Sequence, residues 1–213
     1  PDKILKIHYG FDFTSPKYTL ASDEEILQVK KSLSINANEI LIGNFGRHHP
    51  IKGQDEMIKV FKRLLTEYSN IKLLMVGDGP FNMELKRLVG DLKIADKVLF
   101  VGWQRDINPY LSAVDLVWHP THQEAFPQIM IESMALCKPL FITPVSGATD
   151  IIEDGKNGFI LDFGKTDLWL DLLIQAFNDP NKLKKIGMRG RKTVLKKLNI
   201  EKIINQFEVA YDS

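Results

Sequence analysis

Apolar residues in this chain gather in short runs, separated by longer stretches in which they recur every three or four positions. The runs EILIGNF (39–45), IKLLMVG (71–77), VLFVG (98–102), DLVWHP (115–120) and PLFIT (139–143) are of strand length. Most are apolar throughout rather than alternating, which predicts strands covered on both faces, as in a parallel sheet. The stretches between them read as helices. One opens with Ser22 and Glu25 at capping-box spacing and runs to about Leu33. The next carries Met57, Val60, Phe61, Leu64 and Leu65 on one face, and others are expected near 81–92, 106–113 and 127–136. KILKIHYG at the start reads as a further strand and NGFIL (157–161) as the last one. Helical segments near 167–178, 180–197 and 200–211 close the chain. A strand–helix alternation of this kind predicts an α/β fold, a Rossmann-like parallel sheet with helices on both faces. Without a repeat, a low-complexity tract or a linker, residues 1–213 read as one domain, with 180–213 as terminal helices.

Composition narrows the function classes. The 213 residues are 44% hydrophobic and 26% charged, ordinary for a globular domain. The net charge of +1, from 28 basic and 27 acidic residues, argues against nucleic acid as the main partner, so any anion site must be local. No apolar stretch has the length of a membrane-spanning helix, and the start lacks a signal-peptide pattern. A single cysteine, Cys137, leaves no intramolecular disulfide and no multi-cysteine zinc site, and the cytoplasm is the expected location. Because the chain begins at Pro1 and runs at once into a strand-like segment, part of the parent protein is expected to be missing from it.

In open parallel sheets, ligands sit beyond the carboxyl ends of the strands, where loops lead into helix amino ends. The loops to examine are therefore 43–53, 77–81, 102–106, 119–127 and 144–150. In the first, Gly43 and Gly46 would let the backbone approach a ligand, and Arg47 and Lys52 put two cations before a helix amino end, a combination suited to a diphosphate. A solvated loop with two surface cations is the plainer alternative. Gly77 and Gly79, in GDGP, permit tight turning beside a ligand but do not extend into a dinucleotide fingerprint. Glu124 lies in the loop after a buried strand, and Glu132 sits in a helix that is apolar on most sides, where a carboxylate needs a partner. Eight positions apart, the two suit different parts of one extended ligand rather than one reacting atom. His48, His49, His119 and His122 fall in two separate loops without a supporting carboxylate or cysteine pattern, and no metal site is expected. The basic run from Lys182 to Lys197 reads as the solvated face of a terminal helix, since no aromatics interleave with it.

Taken in order, IHYGFD (7–12), GRHHPIKG (46–53), LLMVGDGP (73–80), VLFVGW (98–103), EAFPQIMIE (124–132), KPLFITPVSGATDII (138–152) and DGKNGFIL (154–161) resemble the carboxy-terminal domain of glycosyltransferase family 4, retaining enzymes of the GT-B fold. The resemblance implies that Arg47 and Lys52 hold the donor diphosphate and stabilise its charge as it leaves, so that they and Glu124 are the catalytic candidates. It implies that Glu124 meets donor sugar hydroxyls and Glu132 the nucleotide ribose. Phe126, Pro127 and Gln128 would lie near the sugar and phosphates, Gly102, Trp103 and Gln104 near the base, and Gly46 and the stretch Gly77 to Pro80, Gly79 included, alongside. Ala125, Ser146-Gly147 and Asp150 depart from the family's usual glycine, Gly-Gly and glutamate, and bear on which sugar is bound rather than on the fold.

The resemblance further implies a UDP- or GDP-linked sugar as substrate, no cofactor and no metal, and a role in polysaccharide or lipopolysaccharide synthesis. An acceptor glycan or lipid-linked sugar would be held by an amino-terminal domain outside this sequence, with peripheral contact at the inner face of a membrane. The chain alone would then bind donor weakly without turnover. Two other classes stay open at this point: a non-catalytic nucleotide-binding or interaction module, and a sugar-nucleotide epimerase of related fold.

Overall fold

A computed structural model describes residues 5–211. Six strands form one parallel sheet: β1 (Ile40–Phe45), β2 (Ile71–Val76), β3 (Val98–Gly102), β4 (Leu116–His119), β5 (Leu140–Ile142) and β6 (Phe159–Ile160), in the order β3-β2-β1-β4-β5-β6. All pairings are parallel, and in-register contact of Ile40 with Ile71 through Phe45 with Val76 makes β1–β2 the longest. The uniformly apolar strand runs are explained by this arrangement, because every strand is covered above and below.

Helices α2 (Gln54–Glu67), α3 (Asn82–Asp91) and α7 (Thr166–Asn178) cover one face. Their core includes Met57, Phe61 and Leu64 with Trp118 set edge-on to Trp169 at 6.4 Å and Phe141 stacked on Phe159 at 4.3 Å. On the other face lie α1 (Asp23–Ser32), α4 (Asn108–Ala113), α5 (Gln128–Ala135), α6 (Ala148–Ile151) and α8 (Pro180–Lys197). The reciprocal Ser22–Glu25 capping box starts α1 as its spacing predicts. Helix α5 is apolar nearly all round because it is enclosed between the sheet and α8. That close approach requires Gly187, where a Cβ would lie 2.1 Å from the Cys137 carbonyl oxygen.

Two expectations change. Residues 1–4 of KILKIHYG's neighbourhood lie outside the described residues, and residues 5–10 form no strand. Leu5 and Tyr9 are exposed, and the first pairing occurs at Phe11, whose N–H donates to the Leu198 carbonyl at 2.8 Å and whose carbonyl accepts from Ile200 at 3.0 Å. The partner of this segment is the junction between α8 and α9 (Ile200–Tyr211), not a sheet edge. The basic run on α8 is also not solvated throughout. Most of its cations are exposed, but Arg191 turns inward and donates to the carbonyls of Ala135 and Tyr18, tying α8 to the end of α5.

Strand order reverses between β1 and β4, which run side by side while their following connections leave in opposite directions. A crevice opens at such a point beyond the carboxyl ends of the strands.

Candidate functional site

Three loops stack across the carboxyl ends of β1, β2 and β3. The Gly46 N–H donates to the Val76 carbonyl at 2.9 Å, and the Gly77 N–H donates to the Gly102 carbonyl at 2.8 Å. Gly77, at φ +137°, is fixed as glycine by contact as well as conformation: a Cβ there would lie 2.0 Å from the Gly46 carbonyl oxygen. Buried His48 staples the first loop to the second. Its N–H donates to the Asp78 carbonyl, its own carbonyl accepts from Phe81, and its Nδ1 lies 3.1 Å from Asn82 Oδ1. Beneath the first loop, buried Asn44 donates to the Trp118 carbonyl at 2.8 Å and accepts from Gln54, whose Oε1 in turn accepts from the His49 N–H. This network locks the loop that carries Arg47 and Lys52 to β1, β4 and the start of α2.

The loops surround a cavity of about 630 Å³. Arg47, Lys52, Glu124 and Glu132 all line it, together with Gly46, Gly77, Trp103, Gln104, Phe126 and Gln128. Gly79, Gly102 and Pro127 do not. Gly79 serves the loop packing, since a Cβ would lie 2.3 Å from the His48 carbonyl oxygen. Gly43 is likewise a packing residue rather than a ligand approach, because a Cβ would strike the Phe45 and Val114 side chains. Loop 144–150 backs the cavity without lining it: Gly147 leaves room for the Phe126 ring, which also meets the rings of His8, Tyr9 and Phe11.

Charge is arranged asymmetrically around this space. Arg47 is exposed and has no hydrogen bond or ion pair among the described residues. Lys52 is paired instead, its Nζ lying 2.9 Å from Glu124 Oε2. His119 Nε2 approaches the same oxygen at 2.9 Å. Burial favours the neutral form of Glu124, but the hydrogen bond and charge of His119 and then those of Lys52 outweigh it and hold the carboxyl down at about 2. Glu132 is different. Burial on α5 raises its carboxyl above the ordinary range, and Lys17, 4.0 Å away, offsets this only partly. The amino end of α5, preceded by Pro127, has no side-chain cap, so its first amides remain open beside the cavity.

Sequence reasoning gave no ligand role to His119, Ile107 and Ile129, all of which line the cavity, or to the anchoring pair Asn44–Gln54. The four histidines grouped as a possible metal set separate into distinct tasks. His48 staples loops, His49 accepts from the Ile51 N–H, His122 faces Glu56 at 3.4 Å, and His119 alone enters the cavity. Among the described residues no three His, Cys, Asp or Glu side chains gather as a metal cluster. A second cavity of about 450 Å³ lies at the opposite, amino end of the strands, beside Asp115, Cys137 and Lys138. There the Lys138 ammonium donates to the carbonyls of Ser112 and Val114, closing the end of α4. No described helix is long and apolar enough to cross a membrane.

Known proteins share this fold. The family model described as "Glycosyl transferases group 1" matches residues 25–193. N-acetyl-alpha-D-glucosaminyl L-malate synthase of Bacillus anthracis is 31% identical over 187 residues, covering 88% of this chain and 49% of that protein. Thus the chain spans about half the length of the curated relatives it matches. Alr3699/HepE of Anabaena, solved in complex with UDP and glucose, superposes with a TM-score of 0.85 at 25% identity, over 97% of this chain and 56% of that one. The C-terminal domain of the group 1 glycosyl transferase LpcC of Francisella tularensis superposes with a TM-score of 0.78 at 25% identity, over 90% of this chain and 100% of that domain. The sheet is thus one Rossmann-like half of a GT-B fold. Matched by the family model from α1 into α8, the chain belongs to the glycosyl transferases of group 1.

Proposed function

We propose that the cavity binds a UDP-linked hexose as donor in a retaining transfer, and that the acceptor, a glycan or lipid-linked sugar, is held by a domain outside this sequence. The observation that carries the reading is the convergence of Arg47, Lys52, Glu124 and Glu132, from two loops and one helix, on a single cavity at the strand-order reversal. UDP is favoured over GDP by the likeness to HepE, whose complex holds UDP and glucose.

In this reading the diphosphate lies over Gly46 and Gly77, where the backbones leave no side chain in the way, with Arg47 and Lys52 as its cations and the open amides of α5 beside it. As the bond between the anomeric carbon and the β-phosphate oxygen breaks, the negative charge grows on the departing diphosphate. Two preorganised cations stabilise that charge in the role a metal ion fills in other transferases. The acceptor hydroxyl oxygen bonds to the anomeric carbon on the same face, and its proton leaves with the diphosphate. Glu132 accepts from the ribose hydroxyls and Glu124 from the sugar. Trp103, 72% exposed at the lip, offers a face for the base. This half alone binds donor without transferring it, because acceptor positioning and water exclusion belong to the other half. Work at the inner face of a membrane, in polysaccharide or lipopolysaccharide assembly, fits the relative CapM of Staphylococcus aureus, a capsular polysaccharide glycosyltransferase.

Calorimetric titration with UDP, GDP and ADP, with and without chelator, tests the reading. UDP should bind best and survive chelation, and Arg47→Ala/Lys52→Ala should weaken it by at least about a hundredfold, as loss of two charge-assisted partners implies. Equal binding by the double variant would remove the diphosphate from this cavity.

A further inference from the structure

One oxygen of Glu124 carries two partners. Lys52 Nζ and His119 Nε2 both lie 2.9 Å from Oε2, whereas Oε1 has no hydrogen-bond partner among the described residues. The two partners differ in how firmly they are held. Lys52 ends a single 3₁₀ turn (Pro50–Lys52) on a long, flexible stem. His119 is the last residue of β4, its side chain is 4% exposed, and its Cε1 lies 4.0 Å from where a Cβ on Gly46 would stand.

A diphosphate entering beside Gly46 would carry more negative charge than Glu124 and would draw the Lys52 ammonium toward itself. Glu124 would then have lost its ammonium partner at the moment an anion arrives nearby, and like-charge repulsion would push the carboxylate out toward solvent. The imidazole N–H opposes this, since a buried ring at a strand end cannot follow Lys52. We propose that His119 is the positioning residue of this cavity. It retains Glu124 through Oε2 when Lys52 transfers to the diphosphate, and so keeps Oε1 available to the sugar hydroxyls. The hydrogen bond also fixes the ring with its proton on Nε2. The inference rests on the reading of the cavity as a donor site. It adds a hand-over of Lys52 between carboxylate and diphosphate, and a group that makes the hand-over safe.

The test pairs variants that separate donation from bulk. His119→Gln keeps an N–H donor near the position of Nε2, whereas His119→Met fills similar space without one. Each is titrated calorimetrically with UDP and with UDP-glucose, alone and combined with Glu124→Ala, as a double-mutant cycle. His119→Met should weaken UDP-glucose about tenfold and UDP much less, the loss of one charged hydrogen bond. His119→Gln should recover most of that, and His119→Met should add nothing once Glu124 is alanine. Additive losses, or equal losses for UDP and UDP-glucose, would overturn the role. Failure of the unaltered chain to bind either ligand would instead remove the donor reading, and the inference with it. Nitrogen NMR of the ligand-free chain supplies an arm independent of ligand and of variant folding: His119 should carry a proton on Nε2, and a ring protonated at Nδ1 alone would overturn the proposal.

Discussion

Glu132 shows how a single residue can be placed against stability. Its side chain is 16% exposed on a helix otherwise wrapped in apolar contacts, and burial raises its carboxyl above the usual 4.5. A raised carboxyl favours the neutral form in the fold, so wild-type stability falls as pH rises through 4.5 and levels off above the folded value. Glu132→Gln removes that penalty. At neutral pH it should raise the melting temperature by about 2–4 °C, corresponding to roughly 1 kcal/mol in a domain of this size, and the advantage should vanish below pH 4. The same variant should weaken UDP binding about tenfold, the loss expected if Glu132 is the proposed acceptor for the ribose. A melting curve unmoved between the two proteins at neutral pH would show that the carboxylate is adequately solvated where it stands. The need of Glu132 for a partner was legible in the sequence, because its helix neighbours are apolar on most sides. His119 was not, because its partner Glu124 reaches it only through the turn after β4, and a histidine at a strand end carries no sign of what it faces.

At the scale of elements, strands β1 to β5 and all the longer helices follow from the spacing of apolar residues, because each element is covered by the layer its own pattern demands. What periodicity could not carry is the contact between loops. The short 3₁₀ turns at Pro16–Tyr18 and Pro50–Lys52 and the one-turn α6 have too few residues to show a period. The strand-like KILKIHYG forms no strand over its described residues 5–10, and the pairing falls just beyond it, where Phe11 meets the junction of α8 and α9. Glycines read as ligand approaches divide in the fold: Gly46 and Gly77 line the cavity, whereas Gly43 and Gly79 let neighbouring side chains and backbone meet. Gly79→Ala should therefore destabilise by about 1–3 kcal/mol in urea denaturation, since its Cβ would meet backbone that cannot yield without moving the His48 staple. Gly90→Ala is the contrast. On α3 with nothing within 4 Å of the added Cβ, it should stabilise by up to about 1 kcal/mol. Equal effects from both would mean that the loops beyond β1 and β2 are not packed against each other as described.

As a whole, the molecule places chemistry where its topology leaves an opening. The crossovers that flank β1 and β4 carry their helices to opposite faces, and the carboxyl ends of those two strands with the loops that follow supply Arg47, Lys52, His119 and Glu124. The other end of the sheet also holds a cavity, beside Cys137 and Lys138, but its lysine is committed to closing α4. Occupancy of one end and not the other is thus the most direct test of the proposed donor site. An amide NMR titration of the chain with UDP should shift resonances of Gly46–Lys52, Gly77, Trp103–Gln104 and the start of α5, and leave Asp115, Cys137 and Lys138 unmoved. Shifts centred on Cys137 and Lys138, or none near Gly46 and Gly77 at millimolar UDP, would contradict it.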